Sequence, residues 1–145
     1  MNRRDEHVTL LQFFRDVPEK RDSVLAFTNE RLQHIFAKGG IDLTQSILHH
    51  VLHEYVVCAK TSDVRDLIDL FDERLVEMLH TKKGALVGWF VACVSSVKQR
   101  KRLVRALKPF VERVATDEYG HIALIRLVCC VFMLFINVVS LLLLY

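Results

Sequence analysis

"EMLHTKKGALVGWFVACV", residues 77–94, decides the fold, because "RVATDEYGHIALIRLVCC" at 113–130 repeats its pattern 36 residues later. The alignment extends without a gap from 64–94 onto 100–130. Leu67 falls on Leu103, Ile68 on Val104, Phe71 on Leu107, Leu75 on Val111 and Met78 on Val114; Gly84 falls on Gly120 and Cys93 on Cys129. The matched apolar positions are spaced 3, 4 and 7 apart, which puts them on one face of a helix. Self-similarity at a fixed period of this length marks a solenoid.

Each unit reads as two helices. The first covers 63–79 or 99–115, a short polar link follows ("HTKKG" or "TDEYG"), and the second begins near Gly84 or Gly120. A looser copy lies upstream, where "ERLQHIF" at 30–36 matches "ERLVEML" at 73–79 and a longer link leads to "QSILHHVLHEYVV". "HVTLLQFFR" at 7–15 has the look of a second helix without its first, stopped by Pro18. The expected fold is therefore all-α: a right-handed αα superhelix (solenoid) of about three and a half helical-hairpin repeats of about 36 residues. Its parts are a partial repeat (1–18), repeats at 19–60 and 61–97, an incomplete repeat (98–127) and an apolar tail (128–145). Pro109 interrupts the first helix of the last unit, where it removes a backbone bond and crowds the carbonyl of Arg105; a kink is expected there.

Composition narrows the function. Net charge is only +3, but residues 98–113 hold Lys98, Arg100, Lys101, Arg102, Arg105, Lys108 and Arg113 against the single Glu112. Cys58, Cys93, Cys129 and Cys130 form no CxxC pair and no apolar leader precedes them, so free thiols are expected. His49 and His53 stand i,i+4 without a second ligand pair, so no metal site is expected, and both read as partly buried or solvent-facing helix histidines. No nucleophile–base pair, paired-carboxylate motif or cofactor fingerprint stands out, and neither an enzyme nor a cofactor is expected.

The period and the "D-x-Y-G-H-I" turn (Asp117, Tyr119, Gly120, His121, Ile122) resemble the Pumilio (PUF) repeat, most closely its divergent Puf-A, nucleolar pumilio-like branch. His80, Thr81, Gly84, Ala85 and Val87, then Lys98, Arg100 and Lys101, then Phe110 to Ala115 carry the likeness, which is specific over 77–127 and weaker from 20 onward. In that family the side chains one, two and five residues after the turn glycine read an RNA base. Here they are Ala85, Leu86 and Trp89 in one unit and His121, Ile122 and Ile125 in the next. Ala, Leu and Ile cannot hydrogen-bond a base edge, so the resemblance implies RNA binding by phosphate and shape with little base readout. It further implies structured or single-stranded pre-ribosomal RNA and ribosome-assembly proteins as partners, a role in ribosomal RNA processing, and a nucleolar location.

The residues expected to contact RNA are Lys82, Lys83, Trp89, Lys98, Arg100, Lys101, Tyr119 and His121. Lys82 and Lys83 stand at a helix N-terminus, where backbone N–H groups attract anions. Plainer readings stand beside these: a solvated turn for the lysines, and packing for Trp89 and Tyr119. The rest of the basic run has a competing explanation, since Asp66, Asp69, Asp72 and Glu77 align with Arg102, Arg105, Lys108 and Arg113 and can pair with them across neighbouring units. An armadillo/HEAT-like protein-interaction solenoid is the first alternative.

Leu127 to Tyr145 spans 19 residues, close to bilayer length, so a tail-anchored membrane protein is the second alternative. Yet this run begins inside a repeat helix that should end near Val131 in a polar link like Ser95-Ser96. A truncated product, its last residues translated from an unspliced or frame-shifted transcript, explains that better. An uninterrupted exon through the stop codon in the genomic sequence would sink that explanation.

Overall fold

The computed structural model describes residues 9–37 and 43–143, with side chains throughout except at 71–73 and 133–143. Every element among the described residues is helical. In chain order these are α1 (Leu10–Asp16), a 3-10 turn (Pro18–Lys20), α2 (Arg21–Ala37), α3 (Ser46–Cys58) and α4 (Thr61–Phe71), which continues as a 3-10 segment (Asp72–Met78). Then come α5 (Lys82–Val94), α6 (Val97–Leu107), a 3-10 turn (Lys108–Phe110), α7 (Val111–Thr116) and α8 (Gly120–Leu143). They stack in two layers: second helices α1, α3, α5 and α8 follow one another in one, and first helices α2, α4 and α6 in the other. The architecture is the all-α solenoid that the 36-residue period predicts.

One core runs the length of the stack, from Leu32 and Phe36 through Leu52, Leu67, Met78 and Val91 to Leu103, Val114 and Leu127. No single hairpin encloses its own apolar face, so each depends on the next for burial. The turn between helices is built the same way twice. Thr81 Oγ1 accepts the N–H of Gly84 at 3.0 Å, and 36 residues on Asp117 Oδ1 accepts the N–H of Gly120 at 2.8 Å and that of Tyr119 at 2.9 Å. These side chains satisfy helix N–H groups that lack a partner within the helix. The glycine is required by close approach: a Cβ on Gly84 would lie 1.9 Å from the carbonyl oxygen of Met78, and one on Gly120 would lie 3.0 Å from that of Val114.

The other end of the second helix is also sealed repeatedly. Arg21 Nη2 donates to the carbonyl of Cys58 at 3.0 Å, and Arg65 Nε donates to that of Val94 at 2.7 Å. In both units an arginine early in the first helix neutralises the partial negative charge where the second helix ends.

Three expectations need correction. The first helix is not continuous in the last two units. α4 ends at Phe71 and α6 at Leu107, the same register position, and both give way to 3-10 backbone. Pro109 produces the expected break, but the unit with Glu73 in its place bends there too, so the proline occupies a site where the repeat already departs from α-helix. The second helix of the last unit does not stop near Val131. Ser95 Oγ folds back onto the Val91 carbonyl at 2.6 Å, and Ser96 caps α6; Val131 and Phe132, at the equivalent positions, have no such groups, and α8 continues to Leu143. His49 is neither partly buried nor solvent-facing but fully buried.

Among the described residues no helix is long and apolar enough to cross a membrane. The tail-anchor reading falls mostly on 133–145, whose side chains lie outside the described residues.

Candidate nucleic-acid interface

α5 presents one large side chain outward from the second-helix layer. Ala85, Val87, Val91 and Ala92 turn into the core, which leaves Trp89 exposed at 38%. Its ring is not bare: the Arg126 guanidinium of α8 lies 4.9 Å from the ring centroid. Arg126 is held there by a second contact, Nε donating to Cys93 Sγ at 2.9 Å. An aromatic face overlaid by a guanidinium joins a stacking surface to a positive charge. Ile125 occupies the register position of Trp89 one unit on and is also exposed.

Ala85, which would be the first base-reading position, is completely buried and is shut off from any ligand. Leu86 and Ile122 offer only carbon. His121 is half-buried, and its Nδ1 donates to the Asp117 carbonyl at 2.9 Å, which leaves Nε2 as an acceptor.

The remaining expected contacts separate into engaged and unengaged groups. Lys82 is exposed at the start of α5. Lys83 instead reaches back to α3, with Nζ 3.7 Å from Glu54 Oε1 and 3.2 Å from His53 Nδ1. Burial, then the Lys83 charge, lower the His53 pKa, while the Glu54 carboxylate 3.4 Å from its Nδ1 opposes them. Burial opposes ionisation of Glu54, yet the Leu10 N–H, His53 and Lys83 together hold its carboxyl below the ordinary value. Tyr119 is half-buried, and a hydrogen bond to Glu118 raises the pKa of its phenol.

Lys98 and Lys101 are exposed on α6 and form no ion pair among the described residues. Arg100 turns inward: Nε and Nη2 donate to the Ser95 carbonyl at 3.0 and 2.7 Å, and Nη1 to that of Cys130 at 3.4 Å. Arg102 pairs with Asp69 on α4, which also accepts from Gln99 Nε2 at 3.1 Å. Arg102 thus meets an acid one turn out of register, not the aligned Asp66.

The arrangement has no catalytic constellation among the described residues, nor any group of three or more His, Cys, Asp or Glu side chains placed to hold a metal. Fully buried His49 is a structural link. Its Nε2 donates to the Leu43 carbonyl at 2.6 Å and its Nδ1 accepts from Thr81 Oγ1 at 2.6 Å. Burial lowers its pKa, which keeps the neutral tautomer that both bonds need.

A stack of helical hairpins whose last two turns place a glycine 36 residues apart defines the class, an α-solenoid of the right-handed αα-superhelix type. No family model matches the chain. It is similar to Pumilio homology domain family member 6 of Schizosaccharomyces pombe, 29% identical over 79% of this chain and 18% of that protein. The Saccharomyces cerevisiae protein of the same description is 34% identical over 59% of this chain and 13% of its own length. The crystal structure of human Puf-A superposes with a TM-score of 0.75 at 26% identity, over 85% of this chain and 24% of that one. A second structure of human Puf-A, in complex with DNA, gives 0.73. The chain belongs to the Pumilio repeat family. It spans under a fifth of the length of these two yeast relatives.

Proposed function

We propose that this chain is a nucleic-acid-binding array that grips RNA by stacking and phosphate contact and reads little sequence. The observation that carries it is the exposed Trp89 ring under the Arg126 guanidinium, beside a position, Ala85, that is buried beyond reach of a base. Lys82, Lys98 and Lys101 supply unpaired positive charge for phosphates. The human Puf-A structure with DNA supports a nucleic-acid partner for this fold. On this reading the chain binds and does not catalyse. Pre-ribosomal RNA as target, a part in ribosome biogenesis beside assembly proteins, and a nucleolar location extend the same proposal.

The test is binding of the full chain to fluorescent single-stranded and hairpin RNAs of unrelated sequence, titrated with salt. Expected are similar affinities across sequences, a linear fall of log affinity with log salt, and quenching of Trp89. Trp89→Ala should lower affinity by about 1–3 kcal/mol. The Lys98→Glu/Lys101→Glu pair should flatten the salt dependence. Affinity that is undetectable at low salt overturns the proposal and favours a protein-interaction solenoid. Proximity labelling that fails to place the expressed chain in the nucleolus removes the location alone.

A further inference from the structure

Independently of that reading, the α6–α8 end of the stack leaves an apolar surface without a cover among the described residues. Val104 of α6, Val111 of α7 and Val128 and Phe132 of α8 line one groove and are all exposed, Phe132 at 61%. The groove prolongs the core, because its buried lining, Leu107 and Leu127, belongs to the cluster that runs the length of the stack. One unit earlier the equivalents of Val104, Val111 and Val128 are Ile68, Leu75 and Ala92. These are buried, where α6 packs on the 3-10 segment after α4 and α8 packs on α5. What covers such a surface in this molecule is therefore the apolar face of further helices. The groove lies away from the Trp89 side of α8, since Val128 follows Arg126 by two residues, about 200° around the helix.

No segment of the same molecule supplies the cover. α8 runs unbroken to Leu143, so its apolar end does not turn back over the groove. Segments 1–8 and 38–42, outside the described residues, read MNRRDEHV and KGGID, too polar to fill it. The α8 of another copy has what is needed. It is a 24-residue helix with exposed apolar side chains at Val128, Val131 and Phe132, and no charged side chain follows Arg126 in the sequence. That neutrality matters, because Lys101 and Lys108 share a face of α6 with Val104, three residues before it and four after, and repel a basic partner.

We propose that two copies of this chain associate through this groove as a two-fold dimer, with α8 of each lying antiparallel across the groove of the other. A two-fold contact makes one patch its own complement and closes at two copies. Head-to-tail stacking fits less well. The opposite end of the stack presents α1, a second helix without its first, so the place beside α6 and α7 would stay empty.

The full chain is measured by sedimentation and light scattering over a wide concentration range. Expected is a reversible shift from the 16.8 kDa monomer to twice that mass, with no larger species. The melting temperature should rise with concentration. Val104→Asp and Val128→Asp, on opposite sides of the groove, should each weaken dimerisation about tenfold or more. The near-isosteric Val104→Thr and Val128→Thr should act in the same direction by less. Ile125→Asp, as exposed as Val128 but outside the groove, should leave dimerisation unchanged. Circular dichroism at a concentration where the wild type is monomeric identifies the variants that fold. The proposal fails if the wild-type chain stays monomeric, grows beyond a dimer as head-to-tail stacking requires, or binds phosphatidylcholine vesicles as a monomer. It also fails if no folded groove variant weakens dimerisation, or if Ile125→Asp weakens it as much as they do.

Discussion

Arg65 and Lys101 hold the same place in successive units, 36 residues apart, and meet different surroundings. Arg65 seals the end of α5 at the Val94 carbonyl. Lys101 has no such end to seal, because the position equivalent to Val94 is Cys130, in the middle of α8. The same contrast appears across the apolar faces. Ile68, Leu75 and Ala92 are 0, 3 and 2% exposed, while their equivalents Val104, Val111 and Val128 are 44, 42 and 59% exposed. These line an apolar groove of about 520 Å³ between α6, α7 and α8. A residue's register therefore fixes where it stands, and the presence of a neighbouring unit fixes whether it packs, caps or faces solvent.

The turns offer the strongest way to break this equivalence. Gly84→Ala forces a methyl against the Met78 backbone and should cost about 3 kcal/mol or more. Gly120→Ala, with its nearest contacts at 3.0–3.3 Å, should cost about 1 kcal/mol. Thermal or urea unfolding measures both, and equal costs would show that the two turns are not distinguished by close approach. Next come the stacking positions: Trp89→Ala should weaken RNA binding by about 1–3 kcal/mol, whereas Ile125→Ala, at the same register, should leave affinity within about 0.5 kcal/mol. If both weaken binding equally, the aromatic ring is not the contact.

The two caps differ in their response to acid. Thr81→Ala and Asp117→Ala should each cost about 1–2 kcal/mol. The Gly120 N–H, then that of Tyr119, lower the Asp117 pKa from its ordinary 3.8. Its contribution is therefore complete above that value and disappears as pH falls through the folded-state value. Thr81 does not titrate, but its partner His49 has a pKa lowered from 6.5 by burial. Protonation is thus resisted in the folded state, and this stability is complete above about 6.5 and declines as pH drops toward and through the lower folded value. His49→Gln should flatten unfolding profiles near neutrality, and Asp117→Asn should do so only in acid. The smallest effect is expected for Asp69 and Arg102, where a double-mutant cycle should give about 0–1 kcal/mol, as partly exposed pairs do.

The period, the hairpins and the turn glycines were legible because they rest on local spacing and on close approaches that only glycine permits. The 3-10 break at Asp72 was not, because no proline or glycine marks it. Trp89 stands out as the sole tryptophan, but its partner Arg126 borders the apolar run and nothing in its neighbours signals the contact. It lies 37 residues on, one repeat plus one, and only the stacking of α8 on α5 reveals the pairing. Arg100, Lys98 and Lys101 look alike as a run of charge. Helix phase alone turns Arg100 toward the Ser95 carbonyl and leaves the two lysines outside.

Gly88 makes α5 smooth where α8 crosses it, and the separation of those helices is also the step from Trp89 to Ile125 on the surface above. One unit earlier the register equivalents of the Gly88–Ala123 crossing are Leu52 and Val87, a bulkier pair. Interaxial distance follows the side chains at a crossing, so the two crossings permit different separations. On the proposed RNA-binding reading, a bound strand would have to follow that spacing, and a glycine out of its reach would act on it through cadence instead of contact.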